Sequence, residues 1–138
     1  AYQPEEVQED ILARATLVKY TSRTLTDPEA LKEHLKAIRA QGYAVDDEEY
    51  QEDLVCIGAP IFNHTGKIAA AIVVSGLASR VRQKGIENIA ASLIEAGFGI
   101  SKRLGYIPQG EGVGVSEKNQ LDKNQLRDVR SQVREVVR

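Results

Sequence analysis

The sequence predicts an α+β domain, an antiparallel sheet with helices packed on one face. Three observations carry this expectation. Apolar residues recur at three- and four-residue spacing between Pro28 and Gly42 and again between Ile86 and Leu104, as on amphipathic helices. Between these stretches lie two apolar runs rich in β-formers, Leu54 to Phe62 and Ile68 to Ser75, separated by the turn-forming Asn63, His64, Thr65 and Gly66. The chain has 138 residues and is 42% hydrophobic, enough for one core and too little for a large multidomain enzyme.

The elements follow in order. A first helix is expected near Pro4, whose φ suits a first turn, with Glu5 and Glu6 at the positive end of the helix dipole and Val7, Ile11 and Leu12 as its apolar stripe. A polar stretch from Lys19 to Thr26 leads to a second start signal. There Thr26 or Asp27 can cap, Pro28 and Glu29 follow, and Ala30, Leu31, Leu35 and Ile38 form the stripe. Gly42 ends this helix in a left-handed cap, and Tyr43, Ala44 and Val45 read as a short strand.

Asp46, Asp47, Glu48 and Glu49, resumed by Glu52 and Asp53, make a one-signed run, with no Lys or Arg between Ala40 and Gly66. Such a run is either a solvated loop or the rim of a pocket whose carboxylates accept hydrogen bonds from a ligand. Asp46, first after the short strand, is the best placed of them. In the following hairpin, Pro60 cannot donate to a ladder, so an edge position or a bulge is expected there. The long helix from Ile86 to Leu104 stops at Gly105. Gly97 and Gly99 each cost it roughly 1 kcal/mol relative to alanine, so Gly97, on the apolar stripe, is expected to admit a strand or another subunit at close range.

Pro108 and the glycines at 110, 112 and 114 place a linker over 108–115. Beyond it, residues 116–138 carry six basic and four acidic side chains and a narrow stripe of Leu121, Leu126, Val129, Val133, Val136 and Val137. This reads as a helical extension packing on a partner subunit, with a solvated extension as the alternative. The five-residue offset of its two KNQL strings fits no heptad or solenoid period.

Charge and cysteine content narrow the class. A formal net charge of -2 lacks the positive excess that grips DNA phosphates, so this chain is not expected to bind DNA by itself. One cysteine, no secretory leader and no apolar run able to span a bilayer point to reducing cytoplasm and to no membrane partner. A start at Ala1 and the absence of Met suggest a processed chain or a piece of a longer gene product. Cys56, alone on an apolar strand, reads as an inert core residue. The nearest candidate bases, His34 on the second helix and His64 at the hairpin tip, have no orienting group, and no HxH, HExxH or CxxC spacing gathers a metal site. Ser75 lies on the same strand face as Val73 by alternation, where its hydroxyl is ordinarily a strand-end cap.

A longer succession carries more information. Tyr20-Thr-Ser-Arg-Thr-Leu-Thr-Asp27, the helix from Leu31 to Arg39, Gly42-Tyr-Ala-Val-Asp-Asp-Glu-Glu49, Val55-Cys-Ile-Gly-Ala-Pro-Ile-Phe62, Gly66 and Val74-Ser-Gly76 occur in this order before the last long helix. Over about the first hundred residues this resembles the C-terminal ligand-sensing domain of the IclR family of bacterial transcription regulators, which has a GAF-like fold. The resemblance implies a non-enzymatic effector-binding domain over 1–107 that takes a small organic acid or an aromatic metabolite, uses no cofactor or metal, and assembles as a homodimer or homotetramer. DNA would be contacted only through a winged helix-turn-helix upstream of this sequence.

By motif position, the resemblance puts the family's effector-contacting aspartate on Asp46, its apolar wall on Leu54, its cysteine on Cys56 and its strand serine on Ser75. A second serine common in the family is replaced by Val73, which implies a less polar effector or one bound differently. The first strands of the sensing domain and a backbone loop that helps hold the effector are expected upstream of Ala1, and residues 110–138 have no counterpart in the resemblance. The rival readings are a structural oligomerisation module whose pocket has lost its ligand and, third, an enzyme using Cys56.

Overall fold

The computed structural model describes residues 1–108. In chain order these form α1 (Glu5–Arg14), α2 (Pro28–Gln41), β1 (Ala44–Asp47), β2 (Leu54–Phe62), β3 (Ile68–Leu77), α3 (Ala78–Lys84) and α4 (Ile86–Arg103). The α+β expectation holds: the strands make one antiparallel sheet of order β1-β2-β3, with α3 and α4 on one face. Of the anticipated linker over 108–115 only Pro108 is described, and the extension over 116–138 lies outside the described residues. Among the described residues no helix is long and apolar enough to cross a membrane.

Local chemistry sets the ends of α2. The Asp27 carboxylate accepts from the backbone N–H of Ala30 at 3.0 Å, and Gly42, at φ 86°, closes the helix by donating to the Ile38 carbonyl at 2.9 Å. The start of α1 also lies where expected, but its apolar stripe does not reach the core. Val7 and Ile11 are 40% and 55% exposed, no residue of α1 is buried, and an ion pair from Glu9 to Lys32 links it to α2.

The strand boundaries differ from the sequence reading in two places. β1 starts one residue later than Tyr43 and continues through Asp46 and Asp47, so Asp46 is a paired strand residue rather than the first loop residue. β3 runs two residues past Ser75, to Leu77, and leads directly into α3, which the sequence reading did not contain. Seven residues are too few for helical periodicity to stand out. What forms α3 is tertiary: Ala78 and Val81 bury against the sheet. Gly85, at φ 85°, then separates it from α4.

The core lies between the sheet and these two helices. Val55, Ile57 and Ala59 of β2 meet Ala78 and Val81 of α3 and Ala90 and Leu93 of α4. Gly97 allows α4 to sit this close, because a Cβ there would lie 2.7 Å from the Pro60 carbonyl oxygen. The close approach expected at Gly97 is thus made by a strand. One turn further, the fully buried Ser101 donates to the Gly97 carbonyl at 2.7 Å and accepts from the Phe62 N–H at 2.9 Å. That N–H sits where the β2–β3 register shifts, between Ile61 and Phe62. Pro60 lies beyond the end of β1, whose last pair is Ala44 with Gly58, so β2 has one neighbour there. The edge expected of this proline is found, while Pro60 itself pairs in register with Ala71 and the irregularity falls after Ile61. Around Phe62, the Tyr106 ring stacks at 5.0 Å and the Tyr2 ring packs edge-on at 5.3 Å.

The acidic run is one-signed in sequence but not in space. Arg82 of α3 reaches Asp47 at 2.7 Å and also pairs with Glu48; Arg23 reaches Asp47 at 2.5 Å and Glu48 at 3.7 Å. The Arg82 hydrogen bond, followed by one from the Asp53 N–H, holds the Glu48 carboxyl below its ordinary pKa. Glu48 and Asp53 both adopt left-handed backbone, at φ 63° and 62°, which costs a non-glycine residue about 1–2 kcal/mol. The turn they bound is pinned on both sides. Thr21 and Thr24 hydroxyls hold the carbonyls of Glu48 and Glu49, and the Ala78 N–H donates to the Asp53 carbonyl at 2.8 Å.

Two predictions follow from this packing. Gly97→Ala should lower unfolding stability in urea by about 1–3 kcal/mol despite the better helix propensity of alanine, because backbone must shift. Gly99→Ala, with nothing within 4 Å, should be neutral or stabilising; equal effects at the two sites would contradict the packing account. A depressed folded pKa means that the Glu48–Arg82 pair stabilises above the ordinary glutamate value of 4.5 and is lost as pH falls through the folded value. The gap in melting temperature between wild type and Arg82→Met should therefore narrow as pH falls below about 4.5, and a pH-independent gap would count against the pair.

Candidate functional site

Alternation along β2 divides the sheet chemically. Val55, Ile57, Ala59 and Ile61 point to the helices and are buried, which leaves Leu54, Cys56, Gly58 and Pro60 on the opposite face. Directly opposed residues in antiparallel strands share a face, so register decides which side chains meet. Asp46 pairs with Cys56, and Cys56 pairs with Ser75. The three therefore form one row across β1, β2 and β3. On either side lie the Leu54–Leu77 and Gly58–Val73 pairs. Val73 and Leu77 are each 55% exposed, so the row is flanked by uncovered apolar surface.

All five residues singled out in the sequence, Asp46, Leu54, Cys56, Val73 and Ser75, thus lie on one sheet face. Each polar group has a defined state. Ser75 Oγ donates to Cys56 Sγ at 3.1 Å, so its single hydroxyl hydrogen is engaged. Asp46 Oδ1 accepts from the Glu49 N–H at 2.8 Å, while among the described residues Oδ2 accepts no hydrogen bond. The half-buried Asp46 is held by its own turn rather than left to rotate in solvent. Cys56 is a free thiol. His34 sits on α2 and His64 in the hairpin turn, six strand positions or more from Cys56 and about 20 Å along β2. Neither histidine stands in the row with Cys56.

Two groups around the acidic run were not anticipated. The sequence offers no nearby cation to the acidic run, yet Arg23 and Arg82 come to it from 24 and 35 residues away in sequence. Their guanidinium groups are engaged on Asp47 and Glu48, and Asp47 alternates with Asp46, so its side chain leaves the opposite face of β1. Thr21 and Thr24 stand in the polar stretch from Lys19 to Thr26, where their spacing gives no sign that they close on residues 48 and 49.

Residues 1–102 match the family described as Bacterial transcriptional regulator IclR C-terminal. The HTH-type transcriptional regulator BhcR of Paracoccus denitrificans is 42% identical over 97 residues, covering 67% of this chain and 35% of BhcR. The chain spans about a third of the length of the curated relatives it matches. Among solved structures, the Thermotoga maritima IclR is similar with a TM-score of 0.71 at 38% identity, over 76% of this chain and 42% of that one. A double mutant of the PobR transcription factor inducer binding domain from Acinetobacter, in complex with 3-hydroxybenzoic acid, is similar with a TM-score of 0.66 at 26% identity, over 72% of this chain and 57% of that one. These relatives are transcription regulators, not enzymes. From the family match over 1–102 and the shared fold, the chain belongs to the IclR family of bacterial transcriptional regulators, in its C-terminal domain.

Proposed function

We propose that residues 1–107 form the effector-binding domain of an IclR-type regulator and that the open sheet face takes a small organic acid or aromatic metabolite. The boundary to the C-terminal extension falls in the linker over 108–115. The observation that carries this reading is the row of Asp46, Cys56 and Ser75 flanked by exposed Leu77 and Val73: one carboxylate, one thiol and one hydroxyl set in apolar surface, the composition of a small-molecule site. The similar PobR inducer binding domain, as a double mutant, was solved in complex with 3-hydroxybenzoic acid, which is an aromatic acid of this class.

The chemistry orients the ligand. Asp46 Oδ2 has lone pairs to offer and would accept from a hydroxyl, an amine or an acid proton, whereas an ionised ligand carboxylate beside it would be repelled. Arg23 and Arg82 are committed to Asp47 and Glu48, so they do not neutralise such a carboxylate. The acid end of the ligand would therefore point away from Asp46, toward backbone N–H donors supplied from outside this chain, with its apolar body along Leu54, Val73 and Leu77. Val73, lacking a hydroxyl, favours a less polar body.

The mechanism is a population shift. An effector that binds one arrangement of the homodimer or homotetramer more tightly changes how an upstream winged helix-turn-helix is presented to DNA. Thermal shift and calorimetry against 3-hydroxybenzoate and a panel of small aromatic and aliphatic hydroxy acids test it. A true effector at a hundredfold over its Kd should stabilise the protein by about 2.7 kcal/mol, and Asp46→Ala should weaken binding about tenfold through loss of one hydrogen bond. If no compound stabilises the protein and Asp46→Ala changes nothing, the domain is a structural oligomerisation module instead.

A further inference from the structure

We infer that Thr21 and Thr24 are positioning residues for Asp46, clasping the 48–49 turn so that its backbone presents the Asp46 carboxylate to the open sheet face. The significance of this clasp for ligand recognition rests on the effector-binding reading above; its geometry stands apart from that reading. Each hydroxyl has one hydrogen to give. Thr21 Oγ1 donates to the Glu48 carbonyl at 2.7 Å, and Thr24 Oγ1 donates to the Glu49 carbonyl at 2.5 Å. The lone pairs are used as well. Thr21 Oγ1 accepts from the Arg23 N–H at 3.1 Å, and Thr24 Oγ1 accepts from the N–H groups of Tyr20 and Thr21 at 3.1 and 2.9 Å. The 20–24 segment is therefore folded around the two hydroxyls, with their donor ends directed at the turn.

The turn then acts on Asp46. The peptide that places the Glu49 N–H also carries the Glu48 carbonyl held by Thr21, and that N–H is the donor to Asp46 Oδ1 at 2.8 Å. Glu48 is left-handed at φ 63°, a conformation that a glutamate keeps only when its surroundings hold it. Thr21 on its carbonyl and Arg82 and the Asp53 N–H on its carboxylate supply that hold. Released from the clasp, the peptide can rotate, and the Glu49 N–H no longer aims at Asp46. By the reciprocity of linkage, a ligand that engages Asp46 in turn tightens or loosens the 20–24 segment, which makes this segment a route by which occupancy of the sheet face is felt some 25 residues away in sequence.

Residue-resolved amide hydrogen exchange on the 138-residue chain tests the clasp without any ligand. In Thr21→Val/Thr24→Val the Glu49 N–H should exchange about tenfold faster, the loss of roughly one hydrogen bond, while the Val55 and Ile57 amides keep their wild-type protection. Thr21→Ser/Thr24→Ser, which retains both hydroxyls, should restore slow exchange at Glu49. Unchanged Glu49 exchange in the valine variant overturns the proposal. Should the double valine variant fail to fold, a cycle of Thr24→Val and Asp46→Ala replaces it. Melting shifts that fall short of additivity support the coupling, and additive shifts overturn it. Binding of 3-hydroxybenzoate and the rest of the acid panel, followed in the wild type and in Thr24→Val, separates the two readings: no binding of any of them to either protein with a fast-exchanging Glu49 in the variant sinks the effector reading and leaves the clasp intact.

Discussion

The rest of the structure depends on the strict alternation of β2. Each second side chain of this central strand is buried against α3 and α4, and burying an aliphatic side chain fully contributes about 1.5–3 kcal/mol. A slip of one residue would turn Val55, Ile57 and Ala59 outward and bring Cys56, Gly58 and Pro60 into the core. The core therefore sets the register, and the register sets which residues face out. Asp46, Cys56 and Ser75 come from three strands, and they meet because the opposite face cannot be packed in any other alignment.

Electrostatics does a second, local job. The connection between β1 and β2 carries four acidic side chains and two left-handed residues directly after Asp46 and Asp47 of β1, an arrangement that would repel itself if left alone. Two guanidinium groups and two threonine hydroxyls hold it in one conformation. Exposed ion pairs of this kind contribute little to global stability. Their effect is positional: they direct Asp47 and Glu48 toward Arg23 and Arg82 and leave Asp46 alone to represent negative charge on the sheet face.

Much of this was legible in the sequence where a local rule governs. The Asp27 cap, the Gly42 stop, the β2–β3 hairpin and the tight contact at Gly97 each follow from a few neighbouring residues, and each is found. The grouping of Asp46, Cys56 and Ser75 was within reach through motif order, though the pairing that sets them in one row needs the register. What escaped was non-local. α3 exists because Ala78 and Val81 find the sheet, not because seven residues make a helix by themselves. Arg23, Arg82, Thr21 and Thr24 reach the acidic turn across 24 to 35 residues, and no spacing rule connects them. The α1 stripe marks the converse limit: Val7 and Ile11 have helical spacing, yet among the described residues both stay exposed.

Gly97 and Ser101, one turn apart on α4, together form a keyway. The Pro60 carbonyl fills the gap left by the missing Cβ, and the Ser101 hydroxyl catches the Phe62 N–H just beyond it. Neither element can slide along the other without driving a side chain into backbone and stranding a buried donor. Strand and helix are thus keyed as a single stiff plate, in which α4 and β2 can only move together.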